Sequence, residues 1–195
     1  MSPRPDVSEE RKQQISEAAT TVFSRLGFHK ARIDDIAAEA GLSKGTLYLY
    51  FKNKDAIITS LLANLFEREL SDLQSLKDDP RPAADRILSF VDLTTDDILK
   101  WQRFIPIMYE FLSRISRQSI VQKAFKTYLN SYMALIIPII QQGIDSGEFK
   151  AVDAHEIAVT LGAIIEGTIL LWVFDSELVN LERHVSSGVQ LLLEG

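Results

Sequence analysis

The sequence predicts an all-α protein of about nine helices, and three observations support this fold class. Apolar residues recur at helical spacing along nearly all of the 195 residues, and no stretch alternates apolar and polar residues as a strand would. A proline-containing break at residues 77–82 divides the helical pattern. We expect a small three-helix head over residues 1–60 and a larger helical body over residues 61–195.

The first predicted helix begins at Ser8, which is followed by the acidic Glu9 and Glu10. Its apolar residues recur every three or four positions, and we expect Gly27 to end the helix. This apolar stripe would form the floor on which the rest of the head packs. Its members are Ile15, Ala18, Ala19, Val22, Phe23 and Leu26.

Residues 33–57 read as two short helices that cross at a tight turn, which is a helix-turn-helix. In the first helix, the small Ala37 and Ala40 allow a second helix to approach closely. Gly41 supplies the left-handed residue that ends this helix, and Leu42 fills the corner. Ser43 then reads as the N-cap of the next helix.

The second helix of this motif combines an apolar side with a polar and aromatic side. Leu47 and Phe51 are spaced to pack inward, whereas Tyr48 and Tyr50 point elsewhere. Phenol hydroxyls beside lysines suit phosphate oxygens, base edges and thymine methyl groups. The alternative is a helical corner in an enzyme, with the tyrosines as half-buried packing. A further helix would begin after Asn53 as its N-cap.

The segment AGLSKGTLYLYFKNKDAI resembles the TetR-type transcriptional regulators, and the resemblance is strong over about residues 8–62. It implies a three-helix head that binds operator DNA as a dimer. It also implies a variable helical body that dimerises and binds a small effector, which releases the DNA. By this resemblance the base-facing residues are Lys44, Gly45 and Tyr48, with Ser43 beside them, and the phosphate contacts are Thr46, Tyr50 and Lys54.

One position departs from the family pattern. Where the family usually has Ser or Thr before the first helix of the motif, this chain has Arg32, whose side chain cannot accept a hydrogen bond. We expect Arg32 to contact phosphate instead. Asp34 and Asp35 still suit the positive N-terminal end of that helix.

The net charge of −6 is unusual for a DNA-binding protein, so its distribution matters. Residues 1–60 carry nine basic and eight acidic residues, a net charge of +1, and the remaining residues carry −7. Local positive potential attracts the phosphate backbone, although a solvated surface of mixed charge would also fit this head. The basic residues around the motif are Arg25, Lys30, Arg32, Lys44, Lys52 and Lys54.

Composition excludes several kinds of site. The chain has no cysteine, which excludes zinc ribbons, thiolate chemistry and disulfides. Its N-terminus lacks the apolar core of a signal peptide, so we expect a cytoplasmic protein. Its three histidines are scattered, and no catalytic or cofactor-binding motif accompanies them, so we expect no enzyme activity, no cofactor and no metal.

The body begins with an apolar series that runs from Lys54 to Lys77 and would link it to the head. Further helices are expected around residues 87–98, 101–116 and 118–143, with a turn at residues 146–149. Pro106 and Pro138 lie inside apolar patterns. Each either kinks a helix around a ligand cavity or marks a helix boundary.

The last two helices suggest association. Residues 157–174 are apolar almost all round, but Glu166 would lie near the middle of a membrane and no basic residue flanks the segment, so we expect no membrane partner. Ala163 and Gly167 allow close helix contact. With the final helix they would form half of a four-helix homodimer interface, the alternative being an ordinary core of a monomer. The stripe of the final helix is Leu178, Leu181, Val185, Val189 and Leu192.

Aromatic and soft side chains on the body helices could line a site for a mostly apolar effector. An acid among them would suit a cationic or hydrogen-bonding group, although such residues are more often plain core. The candidates are Trp101, Phe104, Met108, Tyr109, Phe125, Tyr128, Tyr132 and Glu166, with Glu110 and Trp172 as further members. Two alternatives remain: a regulator without an effector, and a helical adaptor that acts without DNA.

Overall fold

The computed structural model describes residues 7–109 and 119–194, and all regular structure within them is helical. A short helical stretch at residues 105–109 adds to eight longer helices, so the predicted all-α fold is confirmed. These helices are α1 (Val7–Lys30), α2 (Ile33–Glu39), α3 (Lys44–Tyr50), α4 (Lys54–Lys77), α5 (Ala83–Lys100), α6 (Ser119–Ser146), α7 (Ala154–Phe174) and α8 (Leu181–Glu194).

The contacts divide the described residues into two compact units. The head unit holds the residues up to Leu65 together with residues 102–109, and the body unit holds residues 66–101 and those from residue 119 onward. In the head unit α1, α2 and α3 pack against one another. The predicted floor of α1 is buried there, with Ile15, Val22 and Phe23 fully covered.

Gly27 breaks α1 into two helical segments, so the first segment ends at this residue as the sequence predicted. Its φ of 74° and ψ of 158° are not helical, yet the chain resumes helical structure and continues to Lys30. A glycine adopts this left-handed φ without the steric cost that a Cβ would add. The extra turn buries Phe28 and Ala31 beside the start of the helix-turn-helix.

The two prolines in question have different positions. Pro138 lies inside α6, so it does not mark a helix boundary. Pro106 lies in the first turn of the helical stretch 105–109, where a missing backbone donor costs little, so it does mark a helix start. The predicted turn after α6 is present, with Gly147 at a φ of 80°.

The body unit packs α5, α6, α7 and α8 together. Leu181, Val185 and Val189 of α8 are buried in this core, at 2% exposure or less. The sequence pattern predicted a dimer interface along this stripe, and that prediction is wrong for these three residues, because the chain itself buries them. The other predicted members differ, because Leu178 is 75% exposed and Leu192 is partly exposed.

Among the residues that the structure describes, one helix, α7, is long and apolar enough to cross a membrane by length and composition alone. Its hydrophobic window is only 22% buried within the chain. A single helix of this kind is weak support for a membrane span, since helices of soluble proteins pass the same test.

Candidate nucleic-acid interface

The turn between α2 and α3 is fixed by a Schellman motif. The Gly41 N–H donates to the Ala38 carbonyl at 3.1 Å, and the Leu42 N–H donates to the Ala37 carbonyl at 2.9 Å. Gly41 adopts a φ of 65°, the left-handed conformation that the sequence predicted for it. The motif satisfies the last carbonyls of α2 and sets the direction in which the chain enters α3.

A long-range hydrogen bond ties this turn to α1. The Gln14 side-chain amide of α1 donates to the Ala40 carbonyl at 2.7 Å, across 26 residues of sequence. Leu47 of α3 is fully buried and Phe51 is 6% exposed, so the inward side of α3, the recognition helix of the helix-turn-helix, is packed as predicted. Together these contacts hold α3 at a fixed angle on the head.

Ser43 caps α3, as the sequence predicted. Its Oγ accepts a hydrogen bond from the Thr46 N–H at 3.0 Å. The Thr46 hydroxyl lies 2.8 Å from the same oxygen, so both hydroxyls belong to one local hydrogen-bonded pair. The Thr46 hydroxyl therefore already has a hydrogen-bond partner at the helix cap, and its role as a phosphate contact stays a prediction.

The outward side of α3 carries the predicted base-facing residues. Lys44, Gly45 and Tyr48 are all exposed, and Tyr50 is partly exposed. The structure also exposes Leu49, to 81%, a residue that the sequence analysis did not include. Its spacing of two residues from the inward Leu47 could have identified it, because two helical residues turn the side chain by about 200°.

Lys44 lies in an ion pair with Asp34 of α2. The ammonium nitrogen is 2.7 Å from a carboxylate oxygen, and both side chains are more than half exposed. The hydrogen bond and the charge of Asp34 raise the pKa of Lys44 above its usual value. Lys44 remains a cation, but a DNA contact requires its ammonium group to leave or share Asp34.

Arg32 precedes α2 with an exposed side chain, so it is placed where a phosphate contact is feasible. The Asp35 carboxylate accepts a hydrogen bond from the Arg32 N–H at 2.9 Å. This bond is one half of a capping box, in which a side chain in the first helical turn accepts from the backbone N–H that precedes the helix. The Arg32 side chain cannot accept the hydrogen bond of the other half, because a guanidinium group has no acceptor.

Lys54 has a structural role that the family pattern does not indicate. Its ammonium group donates to the carbonyls of Phe28, His29 and Ala31 at 2.6, 3.1 and 3.3 Å. It also lies 4.5 Å from the centre of the Phe28 ring. The cation therefore holds the end of α1 to the start of α4. Its predicted phosphate contact would compete with these bonds, whereas the neighbouring Lys52 is exposed.

In the body unit, three aromatic rings from α4 and α6 form a cluster. Phe66 stacks on Tyr128 with ring centres 4.2 Å apart and meets the edge of Phe125 at 5.9 Å. The Tyr128 hydroxyl donates to a carboxylate oxygen of Glu69 at 2.7 Å. Phe66 and Glu69 were missed by the sequence analysis, because only the fold brings α4 beside α6.

The Glu69 carboxyl group lies among other acids. Although the residue as a whole is only partly buried, burial of the carboxyl group raises its pKa to about 7, and the negative charges of Glu166, Asp72 and Asp97 add to the effect. Burial also raises the pKa of Tyr128 far above its usual value, and the charge of Glu69 adds to this. Tyr128 therefore stays protonated and able to donate.

The eight predicted ligand residues do not share one unit. Phe104, Met108 and Tyr109 belong to the head unit, and the first two are buried there. Those in the body unit are Trp101, Phe125, Tyr128, Tyr132 and Glu166.

Within the body unit, Tyr132 is 5% exposed, and the centre of its ring lies 6.2 Å from the centre of the Phe90 ring. Glu166 is exposed on α7, so it is not buried within the chain, and its role as a ligand residue stays a prediction. Glu69 instead has a buried carboxyl group.

Within residues 7–109 and 119–194, no group of three His, Asp or Glu side chains could hold a metal ion. The arrangement of the head is a rigidly mounted helix with a polar and aromatic outer face. Such a surface can contact base edges and phosphate groups, and this binding requires no catalytic residue.

Comparisons with known proteins agree with this geometry. Residues 15–61 match the family described as bacterial regulatory proteins, tetR family. The chain is 29% identical over 187 residues to the fatty acid metabolism regulator protein of Bacillus subtilis, covering 93% of both chains.

Two solved structures share the fold. The transcriptional regulator FadR from Bacillus subtilis, in complex with stearoyl-CoA, is 25% identical with a TM-score of 0.78, covering 94% of this chain and 98% of that one. The SmeT–triclosan complex, a repressor from Stenotrophomonas maltophilia, is 17% identical with a TM-score of 0.79, covering 95% and 90%. The matched family and the relatives are DNA-binding transcriptional regulators and not enzymes, and together they support a TetR-type transcriptional regulator.

Proposed function

We propose that the protein is a homodimeric, cytoplasmic regulator that binds a palindromic operator through α3 and leaves it when a small, mostly apolar effector binds. The observation that carries the proposal is the capped α3, whose inner side is buried in the head while Lys44, Gly45 and Tyr48 are exposed. We also propose that it acts as a repressor.

The DNA contacts divide into two kinds. Tyr48 and Lys44 offer a hydroxyl and an ammonium group to base edges, and Gly45 lets the helix backbone approach closely. Thr46, Tyr50 and Arg32 flank them as candidate phosphate contacts. A two-fold dimer presents two copies of α3, which requires two matching half-sites in the operator.

The exposed face of α7 supports the homodimer. Ala163 and Gly167 let two helices approach closely, and a Cβ added at Gly167 would meet no atom within 4 Å. The opposite face of α7 is buried in the chain, so the exposed stripe is a second apolar surface. The exposed stripe is Val159, Ala163, Glu166, Gly167, Leu170 and Phe174, with Leu171 beside it.

The dimer is tested by the double variant Leu170→Glu with Phe174→Glu, measured by sedimentation. Both residues are exposed, so the variant should keep its helical content while forming monomers that bind the operator weakly. Leu129→Glu is the matched control, since Leu129 is an exposed leucine on α6. A double variant that remains dimeric would place the interface elsewhere.

The effector site is proposed in the body unit, at the cluster of Phe66, Phe125 and Tyr128. Aromatic side chains with a buried hydrogen-bonding pair, Tyr128 and Glu69, suit an apolar molecule that carries one polar group. The structure of FadR from Bacillus subtilis, which is 25% identical to this chain, contains stearoyl-CoA. Stearoyl-CoA, like the proposed effector, has a large apolar part.

DNA binding is tested by a gel-shift titration of the full chain on fragments from its gene's own upstream region, at several salt concentrations. We expect a discrete complex that resists an excess of scrambled DNA and weakens steeply with salt. Stearoyl-CoA, a long-chain fatty acid, triclosan and a lipophilic amine are then added to the complex. Release by one of them supports the effector, and specific binding without any release favours a regulator that responds to something else.

A further inference from the structure

The recognition helix carries one large aliphatic side chain on its outer face. Leu49 is 81% exposed, and the only other exposed large hydrophobic residue within residues 7–65 is Tyr48, at 47%. Single exposed leucines are common on proteins, so exposure alone does not imply a function. The position of Leu49 on α3 decides the matter.

Leu49 lies on the side of α3 that faces away from the head. Leu47, two residues earlier, is fully buried, and two residues of an α-helix rotate a side chain by about 200°. Gly45 lies one turn before Leu49 and therefore on the same line along the helix. At Gly45 an added Cβ would meet only the Ser43 Oγ, at 3.7 Å, so this line is open.

The neighbours of Leu49 supply the polar contacts that it cannot make. Lys44 and Tyr48 lie to one side of the Gly45–Leu49 line, and Thr46 and Tyr50 lie to the other. An aliphatic side chain offers nothing to a phosphate oxygen or to a hydrogen-bonding base edge. In the major groove the matching apolar group is the C5-methyl group of thymine.

We propose that Leu49 is a specificity-determining residue that packs against the C5-methyl group of a thymine in each operator half-site. The inference rests on the proposed binding of a palindromic operator through α3. It adds a base preference that the tyrosines and the lysine do not set, because a leucine opposite any other base would cover a polar edge without a partner.

The test replaces thymines of the operator with deoxyuridine, one symmetric pair at a time, which removes the methyl group and keeps the base pairing. Affinities of the wild type and Leu49→Ala are measured for each DNA by fluorescence anisotropy. For the wild type, replacing one particular pair of thymines should lower the affinity about four-fold for each methyl contact that is lost. Leu49→Ala should weaken binding to the thymine operator and show no further loss at that same pair.

Leu93→Ala is the matched control, since Leu93 is an exposed leucine on α5 of the body unit. It should keep the wild-type loss at the deoxyuridine pair. Equal losses for the wild type and Leu49→Ala at every thymine would overturn the inference while leaving the proposed operator binding intact. A wild type that prefers no DNA sequence would overturn both.

Discussion

The ammonium group of Lys44 lies 2.7 Å from a carboxylate oxygen of Asp34, so the first residue of the recognition helix is held by the helix before it. The pair holds the ammonium group of Lys44, a proposed base contact, on the protein surface before DNA binds. When DNA binds, Lys44 must exchange Asp34 for an acceptor on a base or a phosphate. The ion pair with Asp34 therefore lowers the affinity for DNA.

Asp34→Asn should therefore bind DNA more tightly. The variant frees Lys44 and removes one negative charge near the phosphates, and an exposed pair of this kind accounts for up to about a five-fold change in affinity. Anisotropy titrations at low and high salt measure the gain, which should shrink as salt rises. Asp35→Asn is the control, since it removes an equal charge from α2 without releasing Lys44. Equal gains in both variants would show a general charge effect and no role for the pair.

Lys54 and Lys52 should respond oppositely to substitution by alanine. Lys54→Ala removes the hydrogen bonds to three carbonyls and should lower the free energy of unfolding by about 1 to 3 kcal/mol. Lys52→Ala should leave stability unchanged but reduce the salt dependence of DNA binding by about one unit. Thermal melts and salt titrations separate the two effects. A Lys54→Ala protein of wild-type stability with a reduced salt slope would instead support the phosphate contact that the family pattern implies.

Glu69 should make the body less stable as the pH rises from about 4.5 to about 7. Its pKa is raised from 4.5 to about 7 in the folded protein, so between these values the folded chain holds a proton that the unfolded chain has lost. The free energy of unfolding should fall by roughly 2 to 3 kcal/mol from pH 5 to pH 8.

Glu69→Gln should flatten this pH dependence, and Glu67→Gln, at an exposed neighbouring position, should not. Urea unfolding at pH 5, 6, 7 and 8 gives the comparison. Asp97 forms ion pairs with Arg68 and Lys100, which partly offset its negative charge near Glu69. These three residues are therefore left unsubstituted in the comparison. A pH dependence that Glu69→Gln leaves unaltered would assign it to other residues.

The sequence predicted those features that depend on residues close together in the chain. Ser43 and Gly41 signal helix boundaries through their own backbone preferences, and both act as expected. Lys54 and Glu69 could not be assigned in this way, because their partners lie 23 to 59 residues away. Apolar periodicity also does not reveal which surface covers a helix. For this reason Val185, which packs inside the chain, looked like a dimer contact.

The most direct test is the specificity of Tyr48→Ala, because Tyr48 is the exposed aromatic residue of α3 that we propose contacts a base. Its affinities for the operator and for a scrambled duplex are measured at one salt concentration, with circular dichroism to verify the fold. The account predicts that operator binding weakens by at least ~1 kcal/mol while binding to the scrambled duplex barely changes. Equal weakening on both DNAs, or no weakening on the operator, would contradict base recognition by the recognition helix.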